Sequence, residues 1–120
     1  MNSELAQKEC VPCKGGVAPL ATQMIDDLLG QVDGWSIEQE YHLAKAFRFS
    51  NFAQALDFVN RIGAIAEQQN HHPDIFLAWG KVAVEVWTHK INGLTESDFI
   101  FAAKIDSAFE SMRADESECA

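Results

Sequence analysis

Apolar residues recur at helical spacing through Leu20, Met24, Ile25, Leu28 and Leu29, behind Pro19 and ahead of Gly30 and Gly34. That pattern predicts a first helix over about residues 20–30. The period then changes. Trp35, Ile37 and Gln39 alternate with Ser36, Glu38 and Glu40, which reads as a half-exposed strand over 35–41. Leu43, Phe47 and Phe49 against Ala44 and Ala46 read as a second strand over 43–49, paired with the first as a hairpin. Ser50 and Asn51 are N-cap residue types, and they precede the clearest helical pattern of the chain. There Phe52, Ala55, Leu56, Val59, Ile62, Gly63 and Ala66 fall on one face. Pro73 biases His72 away from helical geometry, so this helix should stop near Gln69.

A short apolar run, Ile75 to Trp79, reads as a third strand. After Gly80-Lys81 the chain returns to period two. Val82, Val84, Val86 and Thr88 share one face; Ala83, Glu85, Trp87 and His89 share the other. Asn92-Gly93 signals a turn. Thr95 with Asp98 three residues on resembles a capping box, opening a last helix with Phe99, Ala102, Ile105, Phe109 and Met112 at apolar positions. The order is α-β-β-α-β-β-α. Four hairpin-linked strands and three amphipathic helices make an α+β two-layer sandwich, with a four-stranded antiparallel sheet and the helices on one face. The other face is left open, which suits a partner subunit.

Length and composition narrow this picture. The 120 residues suit one domain, 48% hydrophobic and 22% charged, the balance of a chain that buries a core. Residues 1–17, ending in Gly15-Gly16, read as a flexible arm. Residues 18–113 read as the folded domain, and 114–120, with Asp115, Glu116 and Glu118, as an acidic tail. Nine basic residues against eighteen acidic ones give a net charge of −9, which repels a phosphate backbone and argues against a nucleic-acid partner. No run reaches the eighteen or so apolar residues of a membrane helix, and Met1 to Glu9 has no apolar signal core, so the cytoplasm is the expected location. Three cysteines, an odd number, do not make a disulfide framework. Cys10 and Cys13 form a single CxxC, a weak zinc signal without a second pair, and are read as reduced thiols in the arm.

His71, His72 and His89 lie within nineteen residues at the ends of predicted elements, with Glu67 four residues before His71 and Asp98 in the first turn of the last helix. His42 stands apart and is assigned an ordinary surface or packing role. Taken alone, the cluster admits three readings: solvated or capping side chains, a metal site of two histidines and a carboxylate, or metal-free acid–base chemistry, since imidazole titrates near neutrality. Adjacent histidines tend to point apart, which weakens the metal site.

The spacing Glu67-Gln-Gln-Asn-His71-His72-Pro73, followed by Trp79, His89 and Asp98, resembles the signature of the pterin-4a-carbinolamine dehydratases. The resemblance covers roughly residues 19 to 112, including Gly34-Trp35 and Gly93-Leu-Thr-Glu96. The Cys-Val-Pro-Cys arm is similar to the leader of many bacterial members. The resemblance implies dehydration of a 4a-hydroxytetrahydropterin to quinonoid dihydropterin and water, recycling the cofactor of aromatic amino acid hydroxylases. It implies His71 and His89 as the acid–base pair and His72 as the residue that binds and orients the pterin. Glu67 and Asp98 would hold the imidazoles, Pro73 would line the site, and Thr88, His89, Lys90 and Ile91 would contact the ring. It implies no metal, no cofactor, and a homodimer or homotetramer. One position departs from the family: where many members carry a pocket-lining Trp two residues after the Pro, this chain has Ile75. Two alternatives stay open, a non-catalytic dimerisation module of the same fold and a role around molybdopterin.

Overall fold

The computed structural model describes residues 5–8, 10, 20–38, 41–91 and 93–119, with side chains through Arg113. Helix α1 spans Thr22–Leu29, strand β1 Ser36–Glu38, β2 His42–Arg48, helix α2 Phe52–Gln69, β3 Asp74–Ala78, β4 Lys81–Val86, and helix α3 Glu96–Cys119. The expected α+β arrangement holds. The four strands form one antiparallel sheet in the order β1-β2-β4-β3, so α2 carries the chain from the middle of the sheet to its edge.

Period two sets the inner face. Val82, Val84, Val86 and Thr88 are buried, as are Leu43 and Phe47 from β2. Above them lie Ala55, Phe58, Ile62 and Ala66 of α2 and Phe99, Ala102 and Ile105 of α3. Phe58 sits among the rings of Phe47, Phe49 and Phe109 at centroid separations of 4.8, 5.2 and 5.6 Å. Truncating such a ring to alanine costs about 3–5 kcal/mol. The apolar stripe of α2 is rotated from the expected one. Phe52 and Leu56 are 44% and 41% exposed, whereas Phe58 is fully buried. The helix packs against both α3 and the sheet, which centres its inner line on Phe58; at about 100° per residue, Leu56 lies nearly opposite. Early α3 is buried on more than one side, Ile100, Phe101 and Ala103 included.

The ends of α2 are chemically specified. The Asn51 side chain accepts from the Gln54 N–H at 2.8 Å, and Gln54 Oε1 accepts from the Ser50 N–H at 3.1 Å. At the other end Asn70 adopts the left-handed conformation (φ 53°), and the His71 N–H donates to the Ala66 carbonyl. The helix therefore stops at Asn70, three residues before Pro73. Gly80, in the β3–β4 turn, has φ +70°, and a Cβ there would lie 2.9 Å from the Phe49 carbonyl oxygen, so only glycine fits without movement.

The fourth strand is shorter than its alternation suggests. The chain leaves the ladder after Val86, bridges Thr88 to Gly93, and forms a 3₁₀ turn over His89–Ile91. The Thr88 N–H donates to Gly93 O at 2.9 Å, and the Ile91 N–H to Thr88 O at 3.3 Å. This places His89 on a tight turn. The described part of the N-terminal arm is docked: Leu5 is buried against α3, Lys104 Nζ donates to Ala6 O, and the Cys10 N–H donates to Gln69 Oε1. Cys13 lies outside the described residues. The α3 backbone stays helical through Cys119, across most of the acidic segment.

The Asp106 carboxylate joins α3 to the β1–β2 end. It accepts from the Trp35 indole N–H at 3.0 and 3.1 Å and from Lys45 Nζ at 2.9 Å. Burial pushes its carboxyl above the usual aspartate range. That effect outweighs the lowering by the Lys45 hydrogen bond and charge and by the Trp35 hydrogen bond, and nearby Glu110 adds to the rise. Across the outer face of the sheet Phe76 stays 61% exposed, and Trp79 in the β3–β4 turn stays 71% exposed. Among the described residues no helix is long and apolar enough to cross a membrane.

Candidate active site

The cleft forms where three chain segments end together. Helix α2 stops at Asn70 and releases His71 and His72, β4 stops at Val86 and releases Trp87 to Lys90, and α3 begins at Glu96. The resulting cleft of about 380 Å³ is lined by Asn70, His71, His72, Trp87, Thr88, His89 and Lys90. That volume is in the range of small-molecule sites.

Asp98 organises the floor. Its side chain is 0% exposed. Oδ2 accepts from Thr88 Oγ1 and from the Thr95 N–H, each at 2.8 Å. The second bond is half of the capping box expected from Thr95 and Asp98, and it sits in the first turn of α3, where the helix dipole favours a carboxylate. Since Thr88 spends its proton on Asp98, the 3.2 Å contact between the two threonine hydroxyls has Thr95 as donor. Oδ1 remains for His71, whose Nε2 lies 2.6 Å away. The His71 ring is 13% exposed and packs its edge against Phe101 at 5.6 Å.

His72 takes the opposite direction. Its Nε2 lies 2.6 Å from Glu67 Oε2, with both side chains largely in solvent. Such an exposed pair contributes about 1 kcal/mol at most and serves chiefly to aim the ring. Glu67, spaced to reach His71 if the helix continued, instead meets His72. The left-handed turn at Asn70 swings His71 inward to α3. The two histidines thus point apart, each to its own carboxylate, and among the described residues no three His, Cys, Asp or Glu side chains are grouped to hold a metal ion.

Of the residues singled out from the sequence, His71, His72, Thr88, His89 and Lys90 share the cleft. Asp98 stands behind His71 and Glu67 beside His72. Pro73 and Ile91 are half-buried next to the cleft and outside its described wall. Ile75 is elsewhere. It pairs with Val84, an inward residue, and packs on the core beneath the helices, so it does not line the cleft. Asn70 and Trp87 were not singled out from the sequence. The Trp87 ring stacks on His89 at 4.3 Å and 26°, and on His42 at 3.7 Å and 8°. Alternation already puts Trp87 and His89 on one face; bringing His42 to them needs the strand pairing.

Comparisons with known proteins place the chain among relatives of one family. The sequence profile described as "Pterin 4 alpha carbinolamine dehydratase" matches residues 18–108. A protein of Rubrobacter xylanophilus named "Putative pterin-4-alpha-carbinolamine dehydratase" is 62% identical over 104 residues, 87% of this chain and 97% of that protein. A Rickettsia canadensis protein of the same name is 55% identical over 86% of this chain and 95% of its own length. Among solved structures, a "transcriptional coactivator/pterin dehydratase" from Brucella melitensis superposes with a TM-score of 0.72 at 30% identity, covering 76% of this chain and 98% of that one. A pterin dehydratase-like protein described as a RuBisCO assembly factor in the alpha-carboxysome follows at a TM-score of 0.55 and 25% identity, covering 62% and 88%. With a profile match across most of its length and relatives this similar end to end, the chain belongs to the pterin-4a-carbinolamine dehydratase family.

Proposed function

We propose that this protein dehydrates a 4a-hydroxytetrahydropterin to quinonoid dihydropterin and water, with His71 as base and His89 as acid. The observation that carries this reading is the Asp98–His71 pair at the cleft wall. As a carboxylate, Asp98 only accepts hydrogen bonds, so it holds His71 with the proton on Nε2. The lone pair is then on Nδ1, the nitrogen left for a substrate. His71 takes the proton from pterin N5, the N5 electron pair forms the C4a=N5 double bond, and the C4a–O bond breaks. His89 protonates the departing hydroxyl, which leaves as water. Two protons move and no electrons are exchanged with a third party, so the step calls for neither a redox cofactor nor a metal.

His72, aimed by Glu67, binds and orients the pterin, and Thr88 to Ile91 contact the ring through their backbone. The product is a form that a reductase can return to tetrahydropterin, so the role proposed with this chemistry is recycling of a hydroxylase cofactor. The cleft volume supports a bicyclic ligand. The test is an assay on chemically generated 4a-carbinolamine with several pterin side chains, before and after exhaustive chelation. Acceleration over the spontaneous rate that survives chelation supports the reading. Absence of acceleration with every pterin defeats it, and loss on chelation restored by a divalent metal defeats its metal-free form.

A second reading, a protein-interaction module, draws on the two structural neighbours, one named a transcriptional coactivator and the other an assembly factor, and on exposed Phe76 and Trp79. Acceleration in that assay decides for the enzyme, and its absence with every pterin favours the module.

A further inference from the structure

His42 is a β2 residue at the edge of the outer sheet face. The β2–β4 register pairs Leu43 with Val86 and Ala44 with Glu85, and one further step sets His42 opposite Trp87. The two rings are nearly parallel at 3.7 Å, and Trp87 in turn stacks on His89 at 4.3 Å. Two imidazoles at such separations cannot share one face of an indole without overlapping, because non-bonded carbon atoms need about 3.5–4.0 Å. The indole is therefore held between them, with His89 on the side that lines the cleft and His42 behind.

We propose that His42 and Trp87 are positioning residues for His89: His42 braces the back of the indole, and the front of the indole sets the plane of the His89 imidazole. His89 needs such support. It sits exposed in a three-residue 3₁₀ turn, with no carboxylate described beside it of the kind that holds His71 and His72. The flat ring of His42, not its polarity, supplies the brace. Its Nδ1 is buried without a hydrogen-bond partner among the described residues, and Glu85 Oε2 lies 3.8 Å away, beyond hydrogen-bond reach.

The kinetic side of this proposal rests on the acid–base role given to His89; the stack itself does not, and the test separates the two. In the free protein, the indole ring current should displace the His89 ring-proton resonances upfield. His42→Ala should collapse that displacement, and His42→Phe should preserve it. In turnover, His42→Ala should lower kcat by roughly tenfold with KM little changed, because a misplaced proton donor weakens the transition state and not ground-state binding. His42→Phe should restore kcat. If His42→Ala fails to fold, His42→Leu, which fills the space without a flat ring, carries the same expectations. An unchanged His89 resonance and kcat in His42→Ala would reduce His42 to packing. A His42→Phe protein as impaired as His42→Ala would show that the nitrogen chemistry matters and overturn the brace. If the parent protein has no dehydratase activity, the proposed reaction fails, and the resonances alone still decide whether His42 orients His89.

Discussion

Asp98→Asn separates the two jobs of one carboxylate. Asp98 meets two donors at Oδ2 and His71 at Oδ1. Asparagine has a single oxygen. Placed at the Oδ2 position it still accepts from Thr88 and Thr95, which leaves its NH₂ group facing His71. The ring must then offer a lone pair at Nε2 and move its proton to Nδ1, so the nitrogen facing the substrate becomes a donor. The stability cost is bounded: two charge-assisted bonds become neutral and one reverses polarity, about 1–3 kcal/mol in total. Set against a typical 5–15 kcal/mol, the variant folds. Asp98→Ala would leave three donors unpaired and cost about 3–5 kcal/mol, close to unfolding, so asparagine is the informative change. Catalysis should fall far more than stability, by about 10²–10⁴ in kcat, the usual contribution of one proton-transfer group. Stopped-flow turnover of the carbinolamine gives kcat, and ¹⁵N shifts of the His71 ring report the tautomer. A folded Asp98→Asn protein with wild-type turnover would refute the claim that Asp98 sets the basic nitrogen of His71.

Steady-state kinetics should show His71→Ala and His89→Ala each losing about 10²–10⁴ in turnover, and the double variant losing less than the product of the two, because the groups act as a unit. His72→Ala should raise KM more than it lowers kcat; the reverse pattern would move His72 into the chemistry. Ile75→Trp should lower the melting temperature, through about 1–3 kcal/mol of overpacking, with no gain in pterin affinity, since Ile75 faces the core. Tighter pterin binding in that variant would place position 75 in the site after all. For Asp106, whose carboxyl lies above its ordinary range, the folded state holds the proton more readily than the unfolded chain. Its contribution is therefore fully present below the ordinary aspartate value and is lost as pH rises through the raised one. Asp106→Asn, which cannot titrate, should accordingly gain stability relative to the parent as pH rises above the ordinary aspartate range in urea unfolding; a relative loss there would mean that the Lys45 ion pair outweighs burial.

The sequence carried most of the local structure because local structure depends on neighbours a few residues away. Alternation of Val82, Val84, Val86 and Thr88 is enough to define an inner face, and Asn51 and the Thr95–Asp98 pair are enough to start two helices. The spacing around His71, His72, His89 and Asp98 likewise identified the family before any geometry. Other features depended on how the elements meet. Phe58 replaced Leu56 on the buried side of α2 because helix rotation is set by the surfaces packed against it. Glu67 found His72 instead of His71 because one left-handed residue, Asn70, redirected the chain. Ile75 turned away from the cleft because its face follows from strand register with Val84. His42, twenty-nine residues before the nearest of the cleft histidines, reached Trp87 through a cross-strand pairing that no local pattern encodes. Period and capping are properties of a segment; register, helix rotation and ring stacking arise when segments compete for the same buried space, and only the folded chain settles that competition.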